Sequence, residues 1–395
     1  MPRKSARIST ARDPQNGQAI ARLERMTEGR AAIIETTCRL VEHESPSDNK
    51  PAVDHLGEYL AGEFEGLGAR VIVHRQHEFG NHIQADFAGR SSRQPLLLLG
   101  HYDTVWPLGT LAKMPCRVAD GRIWGPGSLD MKAGIALIMH SIAALRESGG
   151  LPRPVSVLVT TDEEVGSESS RAIIERLALQ SAGVLVLEPA QGLKGAVKTA
   201  RKGVGDYRLN VRGRAAHAGV DFEKGHSAIV ELARQIAVIH ALNGLKPGLT
   251  LNVGVVQGGT RTNVIAAEAS AEIDVRIARK ADAGFVDRKL RSLRPVDREC
   301  NLEITGGINR PPMERTKGVA SLYQTASGLA KRLDWKLQEA STGGGSDGNF
   351  TAGLGVPTLD GLGAVGEGAH AVNESVVIAE LPRRAALLAM LIEAI

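Results

Sequence analysis

The sequence predicts an α/β fold interrupted by a smaller α+β unit, and three observations lead there. Short apolar runs alternate with stretches of helical periodicity in the first half of the chain, as a sheet covered by helices requires. The run Leu96-Leu97-Leu98-Leu99 is bounded by Pro95 and Gly100; it is too short for a membrane span and fits a strand buried on both faces. Around Gly203 the pattern changes to strand-helix-strand-strand-helix-strand, the ferredoxin-like order, and from Gly318 the first pattern resumes. A chain of 395 residues also exceeds what one hydrophobic core fills, so two domains are expected. The boundaries read as a disordered arm over 1–17, a discontinuous main domain over 18–202 and 309–395, and an insert over 203–308.

In order along the chain, apolar residues recur at helical spacing from Gln18 to Val41, and the cluster Ser45-Pro46-Ser47-Asp48 stops that helix and starts another reaching about Leu67. Val71–Val73, Ile83–Phe87 and Leu96–Gly100 read as strands. Met131–Leu145 is apolar at most positions and reads as a helix on the sheet, with His140 a core or boundary residue. Val155–Thr161 enters Asp162-Glu163-Glu164, a helix begins at Ser167, and Val184–Leu187 enters Glu188-Pro189. Each acidic group thus follows a short apolar strand. In the insert, strands are expected at Tyr207–Val211, Thr250–Val256, Ala269–Ile277 and Leu302–Thr305, with helices at Ser227–Leu242 and Asp282–Leu293. A helix from Ala379 closes the chain.

Composition narrows the classes. The hydrophobic share is 43% and the charged share 23%, ordinary for a soluble globular protein. A net charge of +4, with no basic stripe interleaved with aromatics, gives no support for a nucleic-acid partner. Cys38, Cys116 and Cys300 are odd in number and lack Cys-x-x-Cys spacing, which argues against a disulfide framework or a thiolate zinc site and fits a reducing compartment. Met1–Gln18 is polar and basic without the apolar core of a signal peptide, and no run reaches the roughly 18 apolar residues of a membrane helix. The expectation is a soluble cytoplasmic protein with no membrane partner.

The chemistry is carried by polar groups at strand ends and in glycine-rich turns. His101 and Asp103 follow the leucine run and, two apart in an extended segment, share a face. With Asp130, Glu163, Glu164, Glu188 and His370 they make a two-metal ligand set, because paired cations need imidazole nitrogens, terminal carboxylates and one bridging carboxylate. Glu163 and Glu164 are adjacent, so a regular strand would face them oppositely; they must lie in a turn.

These motifs resemble those of the co-catalytic zinc peptidase family that holds glutamate carboxypeptidase (carboxypeptidase G), acetylornithine deacetylase and succinyl-diaminopimelate desuccinylase. The likeness runs from about residue 30 to the C-terminus. Gly100-His101-Tyr102-Asp103-Thr104-Val105, Gly125-Pro126-Gly127-Ser128-Leu129-Asp130-Met131-Lys132-Ala133-Gly134, Asp162-Glu163-Glu164-Val165-Gly166-Ser167, Glu188-Pro189 and Gly368-Ala369-His370 all match. The resemblance implies a mixed-sheet α/β/α zinc-exopeptidase domain whose insert is a dimerisation lid, with two zinc ions per subunit; cobalt or manganese fits the same ligands. Asp130 then bridges, His101 and Glu188 complete one metal, and Glu164 and His370 complete the other. Asp103 sits behind His101 as its carboxylate support. Glu163 is the general base for a hydroxide between the metals, and the Asp130–Met131 peptide is cis.

The insert contributes by the same resemblance. Ala215-Ala216-His217-Ala218-Gly219 matches a motif whose histidine reaches the partner subunit's active site and donates to the developing oxyanion. Asn263, after Gly258-Gly259-Thr260-Arg261-Thr262, and Arg276, in Asp274-Val275-Arg276, resemble groups that bind the substrate's carbonyl and free carboxylate. Arg276 has the alternative of a salt bridge within the sheet. Gly344 and Gly345, in Thr342-Gly343-Gly344-Gly345-Ser346-Asp347, offer backbone N–H groups to the same carboxylate. The expected activity is hydrolysis of an amide next to a free carboxylate, in a small N-acyl amino acid or short peptide, by a homodimer. Glu188 favours the carboxypeptidase and deacylase branch over the aminopeptidase and dipeptidase branch, which tends to carry aspartate there; a catalytically dead binding protein is the remaining alternative.

Overall fold

The structure, a computed structural model, describes residues 14–395. Residues 1–13 of the expected arm lie outside the described residues, and the arm's last positions belong to the helix Pro14–Glu28. The single helix expected from Gln18 to Val41 is two, Pro14–Glu28 and Arg30–Glu42, parted at Gly29. Contacts divide the chain into two units. One holds the residues up to Lys198 with Ala320–Ala340 and Thr358–Ile395, and the other holds Thr199–Val319 with Ser341–Pro357.

In the first unit a six-stranded sheet runs in the order Arg70–His74, His82–Phe87, Val155–Thr160, Leu96–His101, Gly183–Val186, Thr358–Leu359. The first two pairings are antiparallel and the last three parallel, so the sheet is mixed. The leucine strand is central and buried at every position, which is why it reads as unbroken apolar sequence. Helix Ala133–Glu147 is buried nearly all round and packs with the closing helix Leu381–Ala394. Contrary to the sequence expectation, Ser128–Glu147 is long and apolar enough to cross a membrane by length and composition; 83% of its 18-residue apolar window is buried within the protein, so its apolarity belongs to the core. A second, four-stranded antiparallel sheet joins Arg117–Ala119, Arg122–Trp124, Ser375–Val377 and Gly366–Glu367. These strands have two or three residues each, too few to show a period.

The second unit contains a four-stranded antiparallel sheet ordered Thr250–Gly258, Glu268–Ile277, Gly203–Arg212, Asn301–Arg310. Helices Ala228–His240 and Ala283–Arg291 bury their apolar faces against Tyr207, Leu209, Ile273 and Val275 in a separate core. The expected ferredoxin-like order is present. The expected bounds shift: 199–202 and 309–319, read with the main domain, belong to this unit, and so does the separate segment 341–357. Its hold is polar, since Asn349 donates to the carbonyls of Lys202 and Pro311 at 3.0 and 2.7 Å, and buried Arg310 pairs with Asp347 at 2.8 Å.

Candidate metal centre

Three parallel strands of the first unit end at one edge of the sheet, and the register fixes what meets there. Leu99 pairs with Val186 and His101 with Thr160. Two residues beyond Leu99 and Val186, His101 and Glu188 stand level, and His101 Nε2 is 3.5 Å from Glu188 Oε1. Three residues past Thr160 the chain enters a tight 3₁₀ turn, Glu163–Val165, so the adjacent glutamates do lie in a turn. Ligand atoms of His101, Glu163 and Glu188 fall within 4.8 Å of one another, as do those of His101, Asp130 and Glu164.

Asp130 joins two halves of this cluster. Its Oδ1 lies 3.2 Å from His101 Nε2, and its Oδ2 lies 3.5 Å from His370 Nε2. His370 in turn stands 3.1 Å from Glu164 Oε1. In space, His101 thus faces Asp130 Oδ1 and Glu188, while His370 faces Asp130 Oδ2 and Glu164. His101 is 1% exposed and the His370 side chain 50%, so the cluster opens on the His370 side. His370 has φ +63°, a left-handed conformation that a non-glycine residue holds only under constraint from its surroundings. The Asp130–Met131 peptide is cis.

Glycines in the motifs allow the close packing behind these ligands. A Cβ on Gly134 would come within 2.2 Å of the Leu187 carbonyl, next to Glu188, and one on Gly100 would meet Met131 Cε at 2.5 Å. With that room, Met131 Sδ receives the His101 backbone N–H at 3.3 Å.

Asp103 supports the cluster differently from expectation. The group nearest His101 Nδ1 is the Asp103 backbone carbonyl, at 3.0 Å, and the carboxylate Oδ1 is 3.4 Å away. The peptide oxygen reaches the ring first because Asp103 lies just beyond the strand end, where its carboxylate turns to other donors. Oδ2 accepts from Ser47 Oγ at 2.7 Å and from the Glu164 backbone N–H at 3.3 Å, so Asp103 also braces the glutamate turn. Asp162 braces it from the far side, accepting from Ser169 and Ser170.

The donor set fits divalent cations. A carbonyl only accepts, so the hydrogen bond to Asp103 assigns the ring proton to Nδ1 and leaves the Nε2 lone pair of neutral His101 facing two carboxylate oxygens. Lone pairs so opposed are stable with a cation between them. Five carboxylates converge with two imidazoles, and even two imidazolium charges would not balance them. Without metal the cluster holds protons instead. Hydrogen bonds to Asp130 and Glu164 push His370 up to about 10. Burial pulls His101 down, but its acidic neighbours outweigh this and raise it well above the ordinary value. Asp130 is driven well below the carboxylate range because its two imidazole partners overcome a large burial penalty.

The remaining expected residues lie in the second unit. His217 and Asn263 are brought together by a backbone ladder: His217 bridges Val264, Ala218 N–H donates to the Asn263 carbonyl at 3.0 Å, and Ile265 N–H donates to Ala216. Gly219 N–H donates to His217 Nδ1 at 3.1 Å, which leaves the proton of a neutral ring on Nε2, as a donor. Arg276 forms a bidentate pair with Asp274, its neighbour on the same strand face, at 2.7 to 3.0 Å, so the sheet salt bridge is what the structure contains. The carbonyls of Gly344 and Gly345 accept from Arg201 at 3.3 and 2.9 Å, and open space lies over the Cα of Gly344.

Sequence reasoning passed over Ser47, Arg201 and Glu374. The buried Glu374 carboxylate accepts hydrogen bonds from the turn that carries Asp130. Its spacing of four from His370 was a readable signal, but an acidic residue ahead of a short strand is more often a solvated carboxylate at a turn.

Comparison with known proteins bears on this centre. The signature of peptidase family M20/M25/M40 matches residues 97–394. Carboxypeptidase G2 of Pseudomonas sp. (strain RS-16) is 31% identical over 373 residues, covering 93% of this chain and 90% of that protein. A succinyl-diaminopimelate desuccinylase of Caulobacter sp. (strain K31) is 27% identical, covering 84% of this chain and 88% of that protein. Among solved structures, aminopeptidase PepT of Bacillus cereus superposes with a TM-score of 0.77 at 24% identity, covering 92% of this chain and 98% of that one, a likeness of fold.

Proposed function

The chain belongs to peptidase family M20/M25/M40, a hydrolase family of metallopeptidases, and from that premise we propose a carboxypeptidase-like amidohydrolase that binds two zinc ions and cleaves an amide next to a free carboxylate. The observation that carries the metal reading is the division of Asp130 between His101 with Glu188 and His370 with Glu164. Zinc at these residues would supply Lewis-acid activation of the scissile carbonyl and of water. His101, Glu188, His370 and Glu164 would be the terminal ligands and Asp130 the bridge.

Glu163 has a ligand atom within 4.8 Å of those of His101 and Glu188, a place that suits a proton carrier. It would take a proton from the attacking water and deliver it to the departing amine. His217, with its Nε2–H outward, suits an oxyanion donor; in a homodimer joined through the insert, the partner subunit's His217 would fill that role. Asn263 is tied to the same loop and would bind the carbonyl. For the carboxylate, Gly344 offers open backbone, whereas Gly345 is crowded by Val204 and Arg310, and Arg276 would have to exchange Asp274 for the substrate.

Glu188 and the similarity to carboxypeptidase G2 support the carboxypeptidase or deacylase branch. A panel of N-acyl-glutamate, N-acetylornithine, N-succinyl-diaminopimelate and dipeptides with free and blocked N-termini tests it. The proposal expects turnover of N-blocked substrates that keep a free carboxylate. Turnover confined to peptides with a free amine would assign the chain to the aminopeptidase and dipeptidase branch instead.

A further inference from the structure

We infer that Glu374 is a positioning residue for the metal centre: its buried carboxylate fixes the Gly127–Asp130 backbone so that the two oxygens of Asp130 face their two imidazoles. The inference rests on the metal reading above. Glu374 is 0% exposed, and each of its oxygens takes two donors. Oε1 accepts from the backbone N–H groups of Leu129 and Asp130 at 2.9 and 3.0 Å. Oε2 accepts from the Gly127 N–H at 2.9 Å and from the Trp106 indole N–H at 2.8 Å.

Three backbone N–H groups converging from one turn form a concavity that ordinarily receives an anion, and here the chain fills it with its own carboxylate. The same residue is tied to the other half of the centre. Glu374 N–H donates to the Ala371 carbonyl at 2.9 Å, and Ala371 N–H donates to Gly368 at 2.8 Å, which closes the loop that presents His370. Glu374 therefore joins, through its side chain and backbone, the two segments that supply the bridging carboxylate and the more exposed imidazole. The carboxylate takes four donors, one of them the Asp130 N–H, so Glu374 acts on the centre through Asp130.

The chemistry singles out a carboxylate. It offers about four acceptor sites, matching the four donors present. Glutamine has nearly the same shape, but its one oxygen accepts at two sites and its NH₂ opposes N–H donors. Glu374→Gln thus removes the match while preserving volume, and Trp106→Phe removes one donor while leaving the carboxylate in place.

The test uses the full chain, stripped of metal and titrated with zinc by calorimetry, with the visible spectrum of the cobalt-loaded protein and the Tm of the stripped protein as companion readouts. Glu374→Gln is expected to weaken zinc binding about 10- to 100-fold, as loss of an outer support does. Its cobalt bands should shift, because the coordination at Asp130 changes. Trp106→Phe should move both readouts in the same direction by less, and it decides the question if Glu374→Gln does not fold. Wild-type zinc affinity and an unshifted cobalt spectrum in the folded variants would overturn the inference, even with a lowered Tm, since Glu374 would then hold only the fold. A wild-type chain that takes up neither zinc nor cobalt would overturn the metal reading, and this inference with it.

Discussion

Glu164 Oε1 stands 3.1 Å from His370 Nε2, although 206 positions separate the two residues in the chain. His370 Nε2 also faces Oδ2 of Asp130, while His101 Nε2 faces Oδ1 and Glu188. The two halves should therefore fail separately. His370→Ala is expected to weaken one metal site and leave the His101 side loaded, and Glu164→Ala should do the same. Metal analysis after dialysis would show close to one ion per chain in each variant, and no further loss when the two are combined.

Glu163 lies within the cluster, close to His101 and Glu188. Glu163→Gln should keep both metals and lower kcat by about 10²- to 10⁴-fold, the usual contribution of a positioned proton carrier. Metal content and steady-state rates on one preparation check this. Wild-type turnover would mean that another group moves the proton.

His217 has its Nδ1 occupied by the Gly219 N–H. His217→Ala should lower kcat by about 10²- to 10³-fold through loss of one oxyanion donor. Zinc stoichiometry should stay at the wild-type value, because His217 lies in a different unit from the metal ligands.

Gly134 is the second residue of a core helix, where a Cβ would sit 2.2 Å from the Leu187 carbonyl, a backbone atom that cannot swing aside. Gly134→Ala should destabilise the protein by about 1 to 3 kcal/mol, as overpacking does. Denaturant unfolding measures this. Because Leu187 precedes Glu188, zinc affinity should also fall.

The parts of this centre that sequence made legible are those fixed by chain-local signals. Leucines ending at Gly100 announce a buried strand, and a parallel strand brings its following residue to the same sheet edge as its neighbours, which is how His101 and Glu188 become level. The pairing of Arg276 with Asp274 was open in the sequence, since residues two apart on a strand share a face. Glu374 was not legible, because its role lies in four donors drawn from residues 106–130, and only the folded turn shows that they converge. The same holds for 341–357, which joins the second unit through Asn349 and Asp347, contacts that no local period announces. Two- and three-residue strands such as Gly366–Glu367 escape for a simpler reason, having no length in which to alternate.

Whether Asp130 would bridge two metals is read from zinc stoichiometry, by calorimetric titration of the metal-stripped chain, wild type beside Asp130→Ala. Two ions per chain are expected for the wild type, with loss of tight binding at both sites in the variant, because both halves share that carboxylate. A stoichiometry that the substitution leaves unchanged would contradict that bridging role.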